Sequence, residues 1–378
     1  MYRRTALTAA VSLVAVSAGC TGSKDERPSD SEPEDADDNQ TDDAESVNET
    51  EEELTLETFE YPEAVDQDGF RRNLASVHAD RLEEAGSFQL TRETETTRQH
   101  GSDDEKTVTT VNGDTILHTR DEDGYLTTEK WSDPTTGGGD VLVRSSNGFD
   151  ERYRTEDQSR LDADIDGSVT LGALLDAAMF EASELDERDG TPVVVFESVD
   201  VINASALERV QRMERYDDLE ASIVVSEGGV VGYQWKLEGE RFDRPRKIRE
   251  SGTFEDVGEA TLEEPDWVDE ARERALELSI EPAADESSFI VTVERGEPIP
   301  SGAQINFFAG TQLRGELNKE ITQEDTLYLY NDGGQLGTSV NSEPNSGSEL
   351  QTDFADLSIR TESGLIVYKG RYDAYAEE

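Results

Sequence analysis

From Gly86 onward, apolar residues recur at every second position in short, Thr-rich runs, and this period confines the chain to strands. Phe88 and Leu90, Val108, Ile116, Tyr125, Val141 and Val143, and Phe149 mark the first runs. Residues 192–199, 221–226 and 230–237 mark the next ones. Successive strand side chains point to opposite faces, so alternation of this kind predicts strands with one buried face. Turn signals separate the runs: Asn112-Gly113-Asp114, Asp123-Gly124, residues 136–140, Asn147-Gly148 and Gly228-Gly229. Their short spacing predicts an antiparallel meander. Two stretches break the period. Phe70, Leu74, Val77, His78 and Leu82 stand at helical spacing after Gly69, with Gly86 as the stop. Val169, Leu171, Leu174, Leu175, Ala178 and Met179 form a second, more apolar helix entered through Ser168. The expected class is α+β.

A short charged helix is expected over residues 269–276, read as a solvated spacer. Alternation then resumes without helical interruption at Phe289, Val291 and Val293, Ile305 and Phe307, Leu327 and Leu329, Leu357 and Ile359, and Leu365 and Val367. Turns at Gly296, Gly310, 331–334 and Gly364 divide residues 277–378 into about seven short strands, which predicts an all-β sandwich.

The N-terminus predicts where the chain is held. Arg3 and Arg4 precede an apolar stretch from Ala6 to Val16, and Ser17-Ala18-Gly19-Cys20 closes it with the single cysteine of the chain. That is an export signal over residues 1–19, too short to span a bilayer, which takes roughly 20 apolar residues. The adjacent arginines also fit a twin-arginine leader. A lone cysteine cannot make an internal disulfide, and diacylglyceryl attachment at Cys20 gives it a use: two acyl chains anchor where one is marginal. The expected location is the extracellular face of a cell membrane. Residues 20–60 are Asp, Glu, Ser, Thr, Asn and Pro with little to bury, an acidic disordered tether. Glycosylation acceptor sequences begin at Asn39, Asn48 and Asn203.

The formal charge is −54, and loss of Arg3 and Arg4 with the leader takes it to −56. Such a chain repels nucleic acid. Its self-repulsion is tolerable where salt shortens the screening length to about 3 Å, near 1 M. Arginine outnumbers lysine 27 to 7. The composition is that of a halophilic surface, and in that background acidic pairs carry little information about metals or catalysis.

Tyr61-Pro62 with Val65 and Gly69, the first helix, Ser87-Phe88 leading Thr-rich strands, and the closing Phe254-Glu255-Asp256-Val257-Gly258 and Pro265-Asp266-Trp267-Val268 form a recognisable series. Over residues 61–268 the chain resembles halophilic archaeal surface lipoproteins whose folded part is LolA-like, the fold of lipoprotein carriers and LppX-like binders. The resemblance implies a curved antiparallel half-barrel with helices on its concave face, and capture of a lipid or other hydrophobic molecule between them. The expected lining is Leu171, Leu174, Leu175, Met179 and Phe180 against Tyr233, Trp235 and Val143. A packed core without a cavity is the alternative, leaving a structural or interaction protein of the cell envelope.

Catalytic signatures are missing from the sequence. His78, His100 and His118 lack zinc-ligand spacing, and neither a Gly-x-Ser-x-Gly elbow nor a phosphate-binding glycine loop occurs. A non-enzymatic protein without cofactor is expected. Asp162, Asp164 and Asp166 with Gly167 reproduce the opening of a calcium loop, but Ala173 stands where the bidentate glutamate belongs. A solvated turn is the preferred reading there.

Overall fold

A computed structural model describes residues 54–135, 140–158, 161, 164–207, 213, 215–344, 348 and 350–375. Cys20, Asn39, Asn48 and Asp162 lie outside them. The chain is mostly β, with few helices and one very large antiparallel sheet. Eleven strands form that sheet. Six are β3 (Ser87–Arg98), β4 (Gly101–Asn112), β5 (Thr115–Glu122), β6 (Leu126–Ser132), β7 (Asp140–Ser146) and β8 (Glu151–Asp157). The others are β9 (Ala178–Arg188), β10 (Thr191–Val201), β11 (Arg215–Ser226), β12 (Gly229–Arg241) and β13 (Arg244–Glu255). A two-residue pair, β1 (Val65–Asp66) and β2 (Gly69–Phe70), precedes them.

The strand order is 8-7-6-5-4-3-13-12-11-10-9. Each half is a meander, and the halves meet where β3 pairs β13. Strands β8 and β9, consecutive in sequence, therefore lie at opposite edges, and the chain between them must cross one face of the sheet. Ten gaps between strands make about 48 Å if flat. The crossing segment, ten residues of loop and ten of helix, reaches at most about 34 Å plus about 15 Å. A flat sheet would stretch it taut, yet Leu161 and Ile165 on the way are packed against Val141 and Val143. The sheet has to curl toward itself.

The crossing helix is α2 (Ser168–Ala177), and α1 (Leu74–Ala85) lies beside it, with Gly172 approaching Ala75. Both cover the half of the face made by β3 and β9–β13, where the main core gathers Leu74, Leu82, Leu90, Leu171, Leu174, Val194, Phe196, Ile223, Trp235, Leu237 and Ile248. The expected start of α1 is corrected: Gly69 and Phe70 belong to the β1–β2 pair. Gly69 has φ +134°, and a Cβ there would lie 2.7 Å from the Phe180 carbonyl oxygen. The end of α2 is corrected too, because Ala178 is extended and Ala178, Met179 and Phe180 open β9. Tyr125 and Phe149, expected in strands, stand exposed in turns.

The opposite face of β5–β8 carries a smaller cluster. Trp131 and Tyr153 pack there on Trp267, Val268, Ala271 and Ala275, residues of and beside α3 (Val268–Arg274). The expected solvated spacer is thus a packed element: Val268 and Ala271 seal an aromatic patch, Arg274 stacks on the Tyr153 ring and Glu270 accepts from the Tyr153 hydroxyl.

Two four-stranded antiparallel sheets follow. One holds β14 (Glu277–Pro282), β15 (Ser288–Arg295), β18 (Thr326–Asp332) and β19 (Gln335–Val340). The other holds β16 (Gln304–Phe308), β17 (Gln312–Glu316), β20 (Phe354–Arg360) and β21 (Ile366–Asp373). Alternate residues of both sheets enter one cluster, in which Phe289 meets Phe307 edge to face with centroids 5.3 Å apart. Arg152 and Arg274 join this part to the large sheet through Glu297, with N–O distances of 3.1 and 2.5 Å.

Candidate ligand-binding site

The expected hydrophobic lining does come together, but as a packed core. Leu171 and Leu174 are fully buried, Phe180, Tyr233 and Trp235 nearly so, and Leu175 packs at the margin. Two expected members stand elsewhere. Met179 is 52% exposed, because the first residues of β9 alternate and Phe180 takes the inward position. Val143 is buried in a separate cluster with Val141 and Leu161, on β7, with four strands between it and β13.

Beside this core lies a polar cluster whose role the sequence did not show. Asp164 accepts hydrogen bonds from the backbone N–H groups of Val169 (2.7 Å) and Thr170 (3.2 Å) and from the Thr170 hydroxyl (2.6 Å). These are first-turn donors of α2, which otherwise lack partners. Arg92 on β3 contacts the same carboxylate at 3.3 Å. Asp166 accepts from the Ser168 N–H at 2.9 Å. The two described carboxylates of that calcium-like stretch thus serve the start of the helix, with Asp164 buried where a solvated turn was expected, and no group of three or more metal-ligating side chains occurs among the described residues. Beside them the Tyr233 hydroxyl donates to Glu250 at 3.3 Å. Burial pushes the Glu250 carboxyl up to about 7 against the pull of Arg92, and burial raises Asp164 as well. His78, edge-on to Phe254 at 4.4 Å, is lowered by burial to about 4. The second histidine, His118, is buried with Nδ1 2.9 Å from the Thr109 hydroxyl, and His100 is exposed.

Open space lies on the other half of the same face. Cross-strand partners in an antiparallel pair share a face, and the register runs Leu90–Thr109–His118–Lys130–Val143–Arg154 from the apolar core to the β8 edge. A parallel row runs Arg92–Thr107–Arg120–Thr128–Ser145. Neither helix packs on these rows as on the other half, and a cleft of about 570 Å³ remains above them. Its floor includes Thr107, His118, Arg120, Thr128, Lys130, Ser145 and Arg154; Arg360, Gly364, Leu365 and Ile366 reach in from the β20–β21 connection. That connection is pinned to the β7–β8 turn, where the Ser363 hydroxyl donates to Asp150 at 3.0 Å.

The charges of the cleft invert those of the chain. Its lining has four cations, Arg120, Lys130, Arg154 and Arg360, against Glu105 and Glu122, whereas the sequence has 88 acidic residues to 34 basic ones. Arg120 pairs with Glu105 (2.6 Å) and Glu122 (3.2 Å). Arg154 is buried, donates to the Ser145 hydroxyl at 2.8 Å and to Glu156 at 2.9 and 3.0 Å, and Lys130 reaches Glu156 at 3.1 Å. Burial opposes the charge of Glu156, yet Arg154 and Lys130 together hold its carboxyl below the usual range. Arg360 is exposed at the end of β20, and its side chain has neither an ion pair nor a hydrogen bond among the described residues. Sequence reasoning missed this site because its residues lie on five strands and in a distant turn; only the strand register brings them together.

Asn203 is exposed in the connection after β10, with the Ser205 hydroxyl 2.7 Å from its side-chain oxygen. No described helix is long and apolar enough to cross a membrane. No protein-family model and no curated protein matches the sequence. Among solved structures the chain is similar to LprF from Mycobacterium bovis, at 11% identity over 52% of this chain and 97% of that one, TM-score 0.31. It is also similar to a LolA superfamily protein from Nitrosomonas europaea, at 11% identity over 52% and 96%, TM-score 0.18. A chain of the MucA/MucB complex from Pseudomonas aeruginosa matches at 13% identity over 77% and 90%, TM-score 0.20. Likenesses of this size assign no family.

Proposed function

We propose that this is a non-enzymatic binding protein, held through Cys20 on the outer face of a membrane, that takes a small polar ligand in the cleft above β4–β8. The observation that carries the reading is the contrast between the two halves of one sheet face. One half is apolar and filled by α1 and α2; the other is polar, open by about 570 Å³ and richer in cations than anions. That volume is within the usual range for small-molecule sites. In this reading residues 61–268 are a LolA-like half-barrel, and residues 277–378 are a β-sandwich whose Gly364 turn roofs the site. The tether of residues 20–60 sets it away from the membrane.

Native mass spectrometry of the protein purified from its own membranes tests the reading. A small molecule should accompany the chain and be lost when Thr128→Trp fills the cleft. A copurifying molecule retained by that variant sinks it. Conversion of Cys20 to serine should release the protein from membranes; continued firm association would remove the anchor from the proposal.

Capture of a hydrophobic molecule is a second reading, favoured by the apolar sheet face beneath α2. It requires α2 to lift away, since Leu171 and Leu174 occupy the space. Lipid recovered by organic-solvent extraction of the purified protein would favour it. A role as an envelope interaction protein draws on Met179, Val199, Val201 and Ile202, all exposed near the start of β9 and the end of β10.

A further inference from the structure

We infer that the ligand of this cleft is a small hydroxylated organic acid, with its acid group at Arg360 and its hydroxyls facing Thr107, Thr128 and Ser145. The inference rests on the cleft being the binding site and adds the chemical class of what binds there. In so acidic a chain, each cation retained at an open site stands among carboxylates able to neutralise it. Arg120, Lys130 and Arg154 are neutralised in this way by Glu105, Glu122 and Glu156. These pairs fix the floor: Arg154 is held between Ser145 and Glu156 and keeps a rigid position. Arg360 differs. It faces the cleft from the opposite wall and is left without a carboxylate among the described residues.

A guanidinium offers a planar fork of N–H donors suited to a carboxylate or a phosphate, and such charge-assisted bonds are stronger than neutral ones. At molar salt a diffuse field reaches only about 3 Å, so anion recognition must use direct contact of this kind. Thr107, Thr128 and Ser145 bring hydroxyls to the rest of the lining beside His118 and Gly364, with Leu126, Leu365 and Ile366 as the apolar surfaces. A fatty acid would waste the threonine and serine hydroxyls, and a bare inorganic anion would leave most of about 570 Å³ to water. A sugar-like acid uses both sets of groups.

Titration calorimetry of the full chain in molar KCl, with glucuronate, glucose 6-phosphate and glucose as probes, tests this. At least one acid should bind about tenfold or more tightly than glucose, the effect of one charge-assisted contact. The carboxylate and phosphate arms show which acid group fits. Arg360→Gln should remove that advantage while leaving the melting temperature unchanged. Equal binding of all three probes, or an advantage that survives in Arg360→Gln, overturns the assignment of an acid but leaves the cleft as a binding site. Failure of both acids to bind at tens of millimolar overturns the assignment too. Only a copurified molecule indifferent to Thr128→Trp strikes at the cleft itself.

Discussion

At the scale of single residues, two buried titrating groups, Glu250 of β13 and His78 of α1, make the sharpest claim. Glu250 has its folded pKa raised by burial from 4.5 to about 7, so the folded state holds a proton that the unfolded state has released across that window. Its contribution to stability is complete below 4.5 and is lost as pH rises through about 7. His78 runs the other way. Burial lowers it from 6.5 to about 4, so its contribution is present above 6.5 and is lost as pH falls through about 4. The two slopes oppose each other across nearly the same interval, and the wild-type stability should be almost flat from pH 5 to 6.5. Glu250→Gln keeps a partner for the Tyr233 hydroxyl and removes one slope, so stability should then climb with pH by up to roughly 3 kcal/mol, at about 1.4 kcal/mol per pKa unit. His78→Leu should tilt the profile in the opposite direction. Denaturant midpoints measured at half-unit pH intervals check this; parallel profiles for wild type and both variants would refute it.

At the scale of elements, α2 depends on a residue outside its own span. Gly167 before it is left-handed at φ +71°, where a Cβ would lie 2.8 Å from the Phe254 ring, and its first-turn N–H groups are served by Asp164. Asp164→Ala should therefore cost about 2–4 kcal/mol, combining a lost helix cap with loss of the ion pair to the partly buried Arg92. Amides of residues 168–171 should exchange faster than those of β12 by hydrogen-exchange mass spectrometry. Uniform exchange in the variant would show that Asp164 does not specifically hold this helix. The same segment shows what could be read from sequence. Leu171 and Leu174 at helical spacing, and Phe88, Leu90, Phe289 and Phe307 at strand spacing, predicted their elements because burial on one face sets a local period. Asp164 did not reveal its role: a carboxylate followed by alternating acids looks the same whether it serves calcium, solvent or a helix start. β9 was missed because its Glu and Asp residues, exposed at a sheet edge, mask the alternation of Ala178 and Phe180. The cleft was illegible for a third reason, since Arg154 and Arg360 belong to different sheets and share the cleft only where the β20–β21 connection packs on the β7–β8 turn.

At the scale of the whole molecule, the paired half-faces of the large sheet and the charge of −54 set conditions for each other. Burial of the apolar half supplies the driving force for folding, and compaction of so many carboxylates opposes it. Ion pairs such as Arg98–Asp103 and Lys106–Glu93 are solvent-exposed and worth little each, so they cannot balance the excess. Screening must do so. The range of repulsion falls from about 10 Å at 0.1 M salt to about 3 Å at 1 M. The melting temperature should therefore rise steeply from 0.1 to 2 M KCl. If instead salt acted only by strengthening apolar burial, potassium sulfate would far outdo KCl at equal ionic strength, whereas screening makes their first increments alike. Deleting residues 1–53 shows where the response originates: it should persist, because the repulsion that matters is between carboxylates on the compact part. A response that disappears with residues 1–53, or a melting temperature independent of KCl, would mean that the acidic surface imposes no cost on this fold.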